Sequence, residues 1–334
     1  DGTPFNFTLY GQGKEAYGKD VIVPRIRELR ADAYIILQDT FMHFPHYLEQ
    51  DYSPAHTFFW FPSDGGGGLP QNCETLLRKC EAPVAMSKFA QQQALEVHGI
   101  KTRYIPHGIY PEQFFPLPDK EAVKAKCGLQ GRYIVGCVAR NQPRKMLDRT
   151  LKSFKLFCQD KPDAVLFMHV DPADIAAPFD MLFLVKRLGL QNRVFFTGLR
   201  FFDTFHYSKM NEIYNAMDVF FLLSSGEGFG IPIIEAMSCQ VPVVFTDYTT
   251  TRELITDNEC GDAVMVDTEF TGSWAVERGI ASIKEGAKSL TRLYNDPKIR
   301  KMYGENGRAA VLRDYDWKIV AQKWHDLITE VCGK

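Results

Sequence analysis

From Tyr133 onward, short uninterrupted apolar runs alternate with stretches whose apolar residues recur at helical spacing. Tyr133–Ala139, Ala164–Val170, Arg193–Thr197, Val219–Leu223, Val241–Thr246 and Ala263–Val266 have the length and composition of strands buried on both faces. Between them Leu147, Leu151, Phe154 and Cys158 repeat at helical spacing, and Met181–Leu188, Lys209–Ala216 and Glu285–Tyr294 read as further helices. Strand–helix alternation of this kind predicts an α/β fold with a doubly wound parallel sheet.

The first third follows the same scheme less regularly. Strands are expected at Ala33–Leu37, Thr57–Phe61, Pro83–Met86 and Thr102–Ile105, with helices near Val21–Arg30, Cys73–Lys79 and Lys88–His98. Pro106–Asp119 carries four prolines and reads as an interdomain connection. The pattern therefore divides the chain into a first domain, 1–118, a second, 119–315, and a final helix, 316–334. On that helix Trp317, Val320, Ala321, Trp324, Leu327 and Ile328 share one broad apolar face. This face either packs on its own domain or straps back onto the first.

Composition narrows the class without naming it. A chain of 334 residues has room for two cores, and 45% hydrophobic with 24% charged residues is a globular profile. No apolar run has transmembrane length, which limits any membrane contact to the periphery. A net charge of −2 gives no electrostatic reason for nucleic acid to be a partner. The eight cysteines are scattered without a Cys-x-x-Cys pair, so they are expected to be reduced and structural, in a reducing compartment. The chain starts at Asp1 without a methionine, and an N-terminal piece is expected to be missing.

Candidate chemistry concentrates at two loops. Ser224–Ala236 reads SSGEGFGIPIIEA and follows an expected central strand. Pro232 suits the first turn of a helix, and Gly228 and Gly230 allow backbone amides to approach a ligand. The free amides and positive dipole end of that helix would face a crevice at the carboxyl edge of the sheet, where a diphosphate fits. Glu227 and Glu235 would face the same crevice, and each carboxylate can accept bonds from a pair of vicinal hydroxyls. The second loop, GCVARNQPRK, leaves a strand of the same sheet with Arg140, Arg144 and Lys145. Its cations could neutralise a diphosphate or could form a solvated basic loop.

Together, VGCVARNQPRK and GEGFGIPIIEAM-x-x-x-VPVV closely resemble the retaining nucleotide-sugar glycosyltransferases of family 4, closest in wording to mannosyltransferase-like members. APVAMSKFAQ, YIPHGIYPEQFFP, IYNAMDVFFLLS and RDYDWKIVAQKW support the match, which covers about Asp32 to Lys334. The resemblance implies a GT-B architecture, two Rossmann-like domains facing a cleft. It implies that Glu227 holds the donor sugar and Glu235 the ribose. Arg140 and Lys145, with Arg144 beside them, would hold the diphosphate, helped by amides of Gly228, Phe229, Gly230 and Ile231. A hexose would pass from a nucleotide-diphosphate sugar, GDP-mannose before UDP-glucose, to a hydroxyl of a glycan or lipid-linked acceptor. The implied reaction retains configuration and needs neither metal nor other cofactor, at a cytoplasmic site at or near the inner membrane surface. No oligomeric state follows.

Three departures qualify the resemblance. Gln240 stands where the family carries glycine, so this helix-to-strand turn is expected to bend differently. The first domain lacks an opening strand and glycine-rich loop, about fifty residues fewer than a complete Rossmann half. GQGKEAYG, after an expected FNFTLY strand, is either a turn or a border of the acceptor cleft. On the acceptor side, Asp64 in HTFFWFPSDGGGG stands at the carboxyl edge of an expected strand as a candidate, and Asp39, His43 and His46 lie in an analogous position without a third metal ligand. Phe58, Phe59, Trp60 and Phe61 are expected in the core rather than on a sugar-stacking surface. A nucleotide-sugar epimerase and a binding protein without turnover remain open, whereas a dinucleotide oxidoreductase would need a Gly-x-Gly-x-x-Gly that the second domain lacks.

Overall fold

The computed structural model of the chain describes residues 8–11, 13–39, 42, 46–70, 72–198, 200, 203 and 205–333. Two parallel sheets form its framework. In the first, Ala33–Ile36 (β1), His56–Phe61 (β2), Ala82–Ala85 (β3) and Arg103–Tyr104 (β4) lie side by side in chain order. The second contains Tyr133–Val138 (β5), Ala164–His169 (β6), Val194–Phe196 (β7), Val219–Leu222 (β8), Val243–Thr246 (β9) and Gly261–Val264 (β10). Its spatial order is β10-β9-β8-β5-β6-β7. The winding direction reverses between β5 and β8, which are hydrogen-bonded neighbours. Loops leaving their carboxyl ends diverge there and open a crevice.

The uninterrupted apolar runs have a simple cause. Every residue of β5, β6, β8 and β9 is buried, because helices cover both sheet faces. Edge strands are shorter than their sequence patterns, as with Arg103–Tyr104 against an expected Thr102–Ile105. The eight cysteines are all free, and six of them are buried, in keeping with a structural role. Residues 8–10 of the expected FNFTLY strand have no regular structure, and its earlier part lies outside the described residues.

One element differs from expectation. The apolar pattern gives a single strand at Ala263–Val266, but β10 ends at Val264 and Val266–Thr271 (β11) starts an antiparallel hairpin with Glu277–Ala281 (β12). β11 is mostly exposed, so its polar composition hides it from a search for buried strands. The hairpin reaches the first domain, where Gly66 and Glu277 exchange two backbone hydrogen bonds of 2.9 Å each.

Trp317–Cys332 forms the final helix, with the Asp316 side chain accepting from the Lys318 amide at its start. Its apolar face straps back onto the first domain. Trp324 packs edge-on against Phe58 at 6.3 Å and Trp60 at 5.3 Å, while Trp317 meets Trp60 at 6.3 Å. The Trp60 indole N–H donates to the Ile105 carbonyl at 2.8 Å, fixing the ring these tryptophans meet. Phe58, Phe59, Trp60 and Phe61 are all buried, as expected of core residues. One hydrophobic core consequently runs from Phe58, Trp60 and Val84 through Trp324 and Leu327 into the second domain.

The turn at Gln240 keeps the geometry a glycine would give. Its φ is +58°, in the left-handed region, where a side chain costs about 1 kcal/mol or more. Gly304 lies against the Gln240 backbone so closely that an added Cβ would sit 2.3 Å from its carbonyl oxygen, and this packing holds the turn in place.

Candidate functional site

Both motif loops meet at the switch point of the second sheet. After β8, the chain passes through Ser225 and Glu227 into the helix Ile231–Ser238, with Gly230 at φ +102° as its N-cap and Pro232 in its first turn. The Glu227 amide donates to Thr249 Oγ1 at 3.0 Å, and its carbonyl accepts from the hydroxyls of Thr249 and Thr250 at 3.0 and 3.2 Å. After β5, Pro143–Lys145 makes a single 3-10 turn. The Arg144 carbonyl accepts from the Ser225 amide at 2.8 Å and from its hydroxyl at 3.0 Å, joining the two loops.

A charge cluster lies where they join. Lys145 Nζ donates to both carboxylate oxygens of Glu227, at 2.7 and 2.8 Å, and Arg144 Nη1 donates to one of them at 2.9 Å. Glu227 is 4% exposed and Lys145 7%. Burial alone would push the Glu227 carboxyl up, but Lys145 and then Arg144 outweigh it and hold it at about 2. Burial draws the Lys145 ammonium below its usual value, against the pull of Glu227. Glu227 is thus a fixed anion held between two cations, Lys145 and Arg144.

The first domain closes on this cluster. Asp64 Oδ2 lies 3.4 Å from Arg144 Nε, and Asp64 Oδ1 accepts from Arg278 of β12 at 2.9 Å. Arg278 also donates to the Asp64 carbonyl at 2.6 Å. Asp39 is nearby. Burial and the Asp64 charge raise its carboxyl above the ordinary value, against a smaller opposing pull from Arg144. Between the domains is a cavity of roughly 630 Å3, lined by Asp39 and Asp64 of the first domain, Arg144 and Gly228 of the motif loops, and Phe270, Trp274 and Arg278 of the hairpin segment.

Glycines of the motif serve this closure. A Cβ on Gly226, whose φ is +155°, would lie 2.1 Å from the Asp64 carbonyl oxygen, and one on Gly228 would lie 2.7 Å from Pro62. These two positions therefore admit the first domain, in addition to any ligand. Phe229 is buried between His107, at 5.9 Å, and Tyr315, at 6.0 Å, so its side chain belongs to the interdomain core. Ile231 is 38% exposed at the start of the helix.

Two expected site residues stand apart from the cluster. Arg140 leaves the same sheet edge, but its guanidinium pairs with Asp174 in the loop after β6, at 3.0 Å. Glu235, one turn into the helix, accepts from the Tyr214 hydroxyl at 2.5 Å. Burial raises its carboxyl to about 7, opposed by that hydrogen bond. Of the acceptor-side histidines, His46 is buried and His43 lies outside the described residues. Sequence reasoning missed Thr249, Thr250 and Arg278. Hydroxyl anchors and a lone arginine in a polar hairpin carry no periodic signal.

Two facing Rossmann-like domains with a charged cleft at the switch point define the GT-B class. Solved structures agree on this fold. Sucrose-phosphate synthase from Thermosynechococcus elongatus superposes with a TM-score of 0.73 at 18% identity, covering 94% of this chain and 77% of that one. Anabaena Alr3699/HepE in complex with UDP superposes with a TM-score of 0.68 at 18% identity, covering 87% and 75%. The family of glycosyl transferases group 1 matches residues 119–310, and the chain belongs to it. Among curated relatives, mannosylfructose-phosphate synthase of Agrobacterium fabrum is 27% identical over 181 residues, 51% of this chain and 38% of the relative. The lipopolysaccharide core biosynthesis mannosyltransferase LpsB of Rhizobium meliloti is 29% identical over 184 residues, 54% of this chain and 49% of the relative. The chain thus spans less than half the length of either.

Proposed function

We propose that this protein is a retaining hexosyltransferase acting on a nucleotide-diphosphate sugar, with GDP-mannose ahead of UDP-glucose as donor. The observation that carries the reading is the buried Glu227 carboxylate held by Lys145 and Arg144 at the start of a glycine-capped helix. The donor diphosphate binds between Lys145, Arg140 and the amides that begin helix Ile231–Ser238. Glu227 accepts from the sugar hydroxyls and stabilises positive charge developing at the anomeric carbon. Glu235 accepts from the ribose diol. The bond from the anomeric carbon to the phosphate oxygen breaks, and its electron pair goes to the phosphate. An acceptor hydroxyl oxygen forms the new bond on the same face, and its proton passes to the departing phosphate oxygen. Lys145 and Arg140 stabilise the growing negative charge, with no metal ion taking part.

Mannosyltransferase-named relatives support the choice of mannose, and the acceptor is taken to be a glycan or lipid-linked hydroxyl. Among the described residues no helix is long and apolar enough to cross a membrane, so contact with a lipid-linked acceptor would be peripheral, at the cytoplasmic face. The test is a panel of GDP-, UDP- and ADP-sugars incubated with the protein and read by mass spectrometry, with product configuration read by NMR. Consumption of one donor class and a product of unchanged anomeric configuration are expected. If every donor persists intact, the reading fails.

A further inference from the structure

Glu235 is the one charged residue of helix Ile231–Ser238, whose Ile233, Ile234, Ala236 and Met237 are fully buried. A carboxylate in that setting loses hydration, and a cation usually offsets the loss. Glu227 has two such cations, and both of its oxygens are engaged by them. Among the described residues Glu235 has no ion pair. Its partner is a neutral donor, the Tyr214 hydroxyl, 2.5 Å from Oε2. That bond engages one of the two carboxylate oxygens.

Tyr214 is held for this contact from several sides. Its ring is fully buried, edge-on to Phe220 of β8 at 5.8 Å and to Phe114 of the interdomain connection at 6.0 Å. Its helix, Tyr207–Ala216, is fastened to the same connection. Asn211 Oδ1 accepts from the Phe115 amide at 3.0 Å, and Asn215 accepts from the Leu117 amide at 2.7 Å and donates to the Phe115 carbonyl at 2.9 Å. Burial and the Glu235 charge raise the phenol well above its usual value, so it keeps its proton and remains a donor. The other titratable groups facing the pair are the Cys137 and Cys239 thiols, both raised by burial, Cys137 to about 12. Arg308, the cation that acts on Cys239, directs its donors to oxygens of Pro111, Phe114 and Ser238. Near neutral pH, Glu235 is therefore the group of this cluster that titrates.

We infer that Tyr214 is a positioning residue for the donor, its hydroxyl fixing one oxygen of Glu235 so that the other accepts from the ribose diol. This rests on the transferase reading and adds to it the residue that orients the ribose acceptor. The phenol also favours the ionised carboxylate, since a hydrogen bond to the charged form stabilises that form.

The test is calorimetric titration of the whole chain across neutral pH with GDP, UDP and ADP, and with pyrophosphate as an anion without ribose. Wild type should bind at least one nucleotide, more tightly as pH rises past about 7. Tyr214→Phe keeps the ring and removes the donor. It should move that midpoint up by about one pH unit and weaken the nucleotide about fivefold at pH 7, leaving pyrophosphate within about twofold of wild type. The 2′,3′-dideoxy analogue of the same nucleotide should be indifferent to the substitution. Replacing Tyr214 by 3-fluorotyrosine, a stronger donor of nearly the same shape, should move the midpoint down, which covers a Tyr214→Phe variant that folds poorly. A midpoint unmoved by either replacement, or an equal loss for pyrophosphate or the dideoxy analogue, would overturn the positioning role and leave the transferase reading intact. Wild type that binds none of the three nucleotides would overturn the transferase reading and this role with it.

Discussion

Replacing Glu227 by glutamine separates the two jobs assigned to its neighbours. The substitution keeps the shape and one acceptor oxygen but removes the only carboxylate within hydrogen-bond reach of Lys145 Nζ among the described residues. Lys145 is 7% exposed, so its ammonium would be left buried and uncompensated. Breaking a buried pair from one side costs about 3–5 kcal/mol, and the retained amide oxygen points to the lower end. For a domain of this size that is a fall in melting temperature of roughly 6–12 °C. Because ionised Glu227 has its carboxyl lowered from 4.5 to about 2, its stabilisation is full above about pH 4.5 and disappears as pH falls through 2. The gap between wild type and variant should close over that window. A diphosphate would supply the missing counter-charge, so GDP or UDP should bind the variant at least as tightly as wild type and raise its melting point more. Transfer should nevertheless fall about a hundredfold or more. Scanning calorimetry with and without nucleotide, paired with the donor assay, reads all three effects. A variant that melts like wild type, or binds nucleotide tenfold more weakly, or transfers normally, would show that Glu227 does not hold these roles.

Three further outcomes follow from the geometry. Burial raises Glu235 to about 7, so its carboxylate forms only as pH rises past that value; nucleotide affinity should tighten between pH 6 and 8, and Glu235→Gln should abolish the dependence, whereas a flat calorimetric profile for wild type counts against the ribose role. Arg278→Ala removes both contacts with Asp64 and should speed amide exchange at Gly66 and Glu277, with unchanged protection showing that the hairpin is held to the first domain by something else. Gln240→Gly relieves a left-handed φ of +58° and should raise stability by up to ~1 kcal/mol without touching nucleotide affinity; a lower melting temperature would mean that the glutamine side chain stabilises the turn.

The sequence made most of the second domain legible because burial on both faces leaves runs such as Tyr133–Val138 and Val219–Leu222 without polar interruption. The strand-to-helix setting of Glu227 was equally readable, since Gly230 and Pro232 mark the helix start chemically. What escaped is set by tertiary approach rather than local pattern. Arg144 rather than Arg140 sits on Glu227 because Arg140 finds Asp174, thirty-four residues away in sequence, and no spacing rule carries that. β11 is polar and exposed and β12 is only five residues long, so neither looks like a strand. Gly226 and Gly228 gain their second role, admitting Pro62 and Asp64, only once the domains face each other. The tryptophan-bearing final helix left two partners open, and the ring contacts of Trp324 with Phe58 and Trp60 decide for the strap.

The buried Lys145–Glu227 pair is proposed to mark the donor site, with Lys145 on the diphosphate and Glu227 on the sugar. A crystal structure of the protein with an unreactive carba analogue of GDP-mannose or UDP-glucose tests it directly. The diphosphate is expected within hydrogen-bond distance of Lys145 Nζ, with sugar hydroxyls on the Glu227 carboxylate and the ribose on Glu235. A nucleotide bound elsewhere, with Lys145 still 2.7 Å from Glu227, would contradict it.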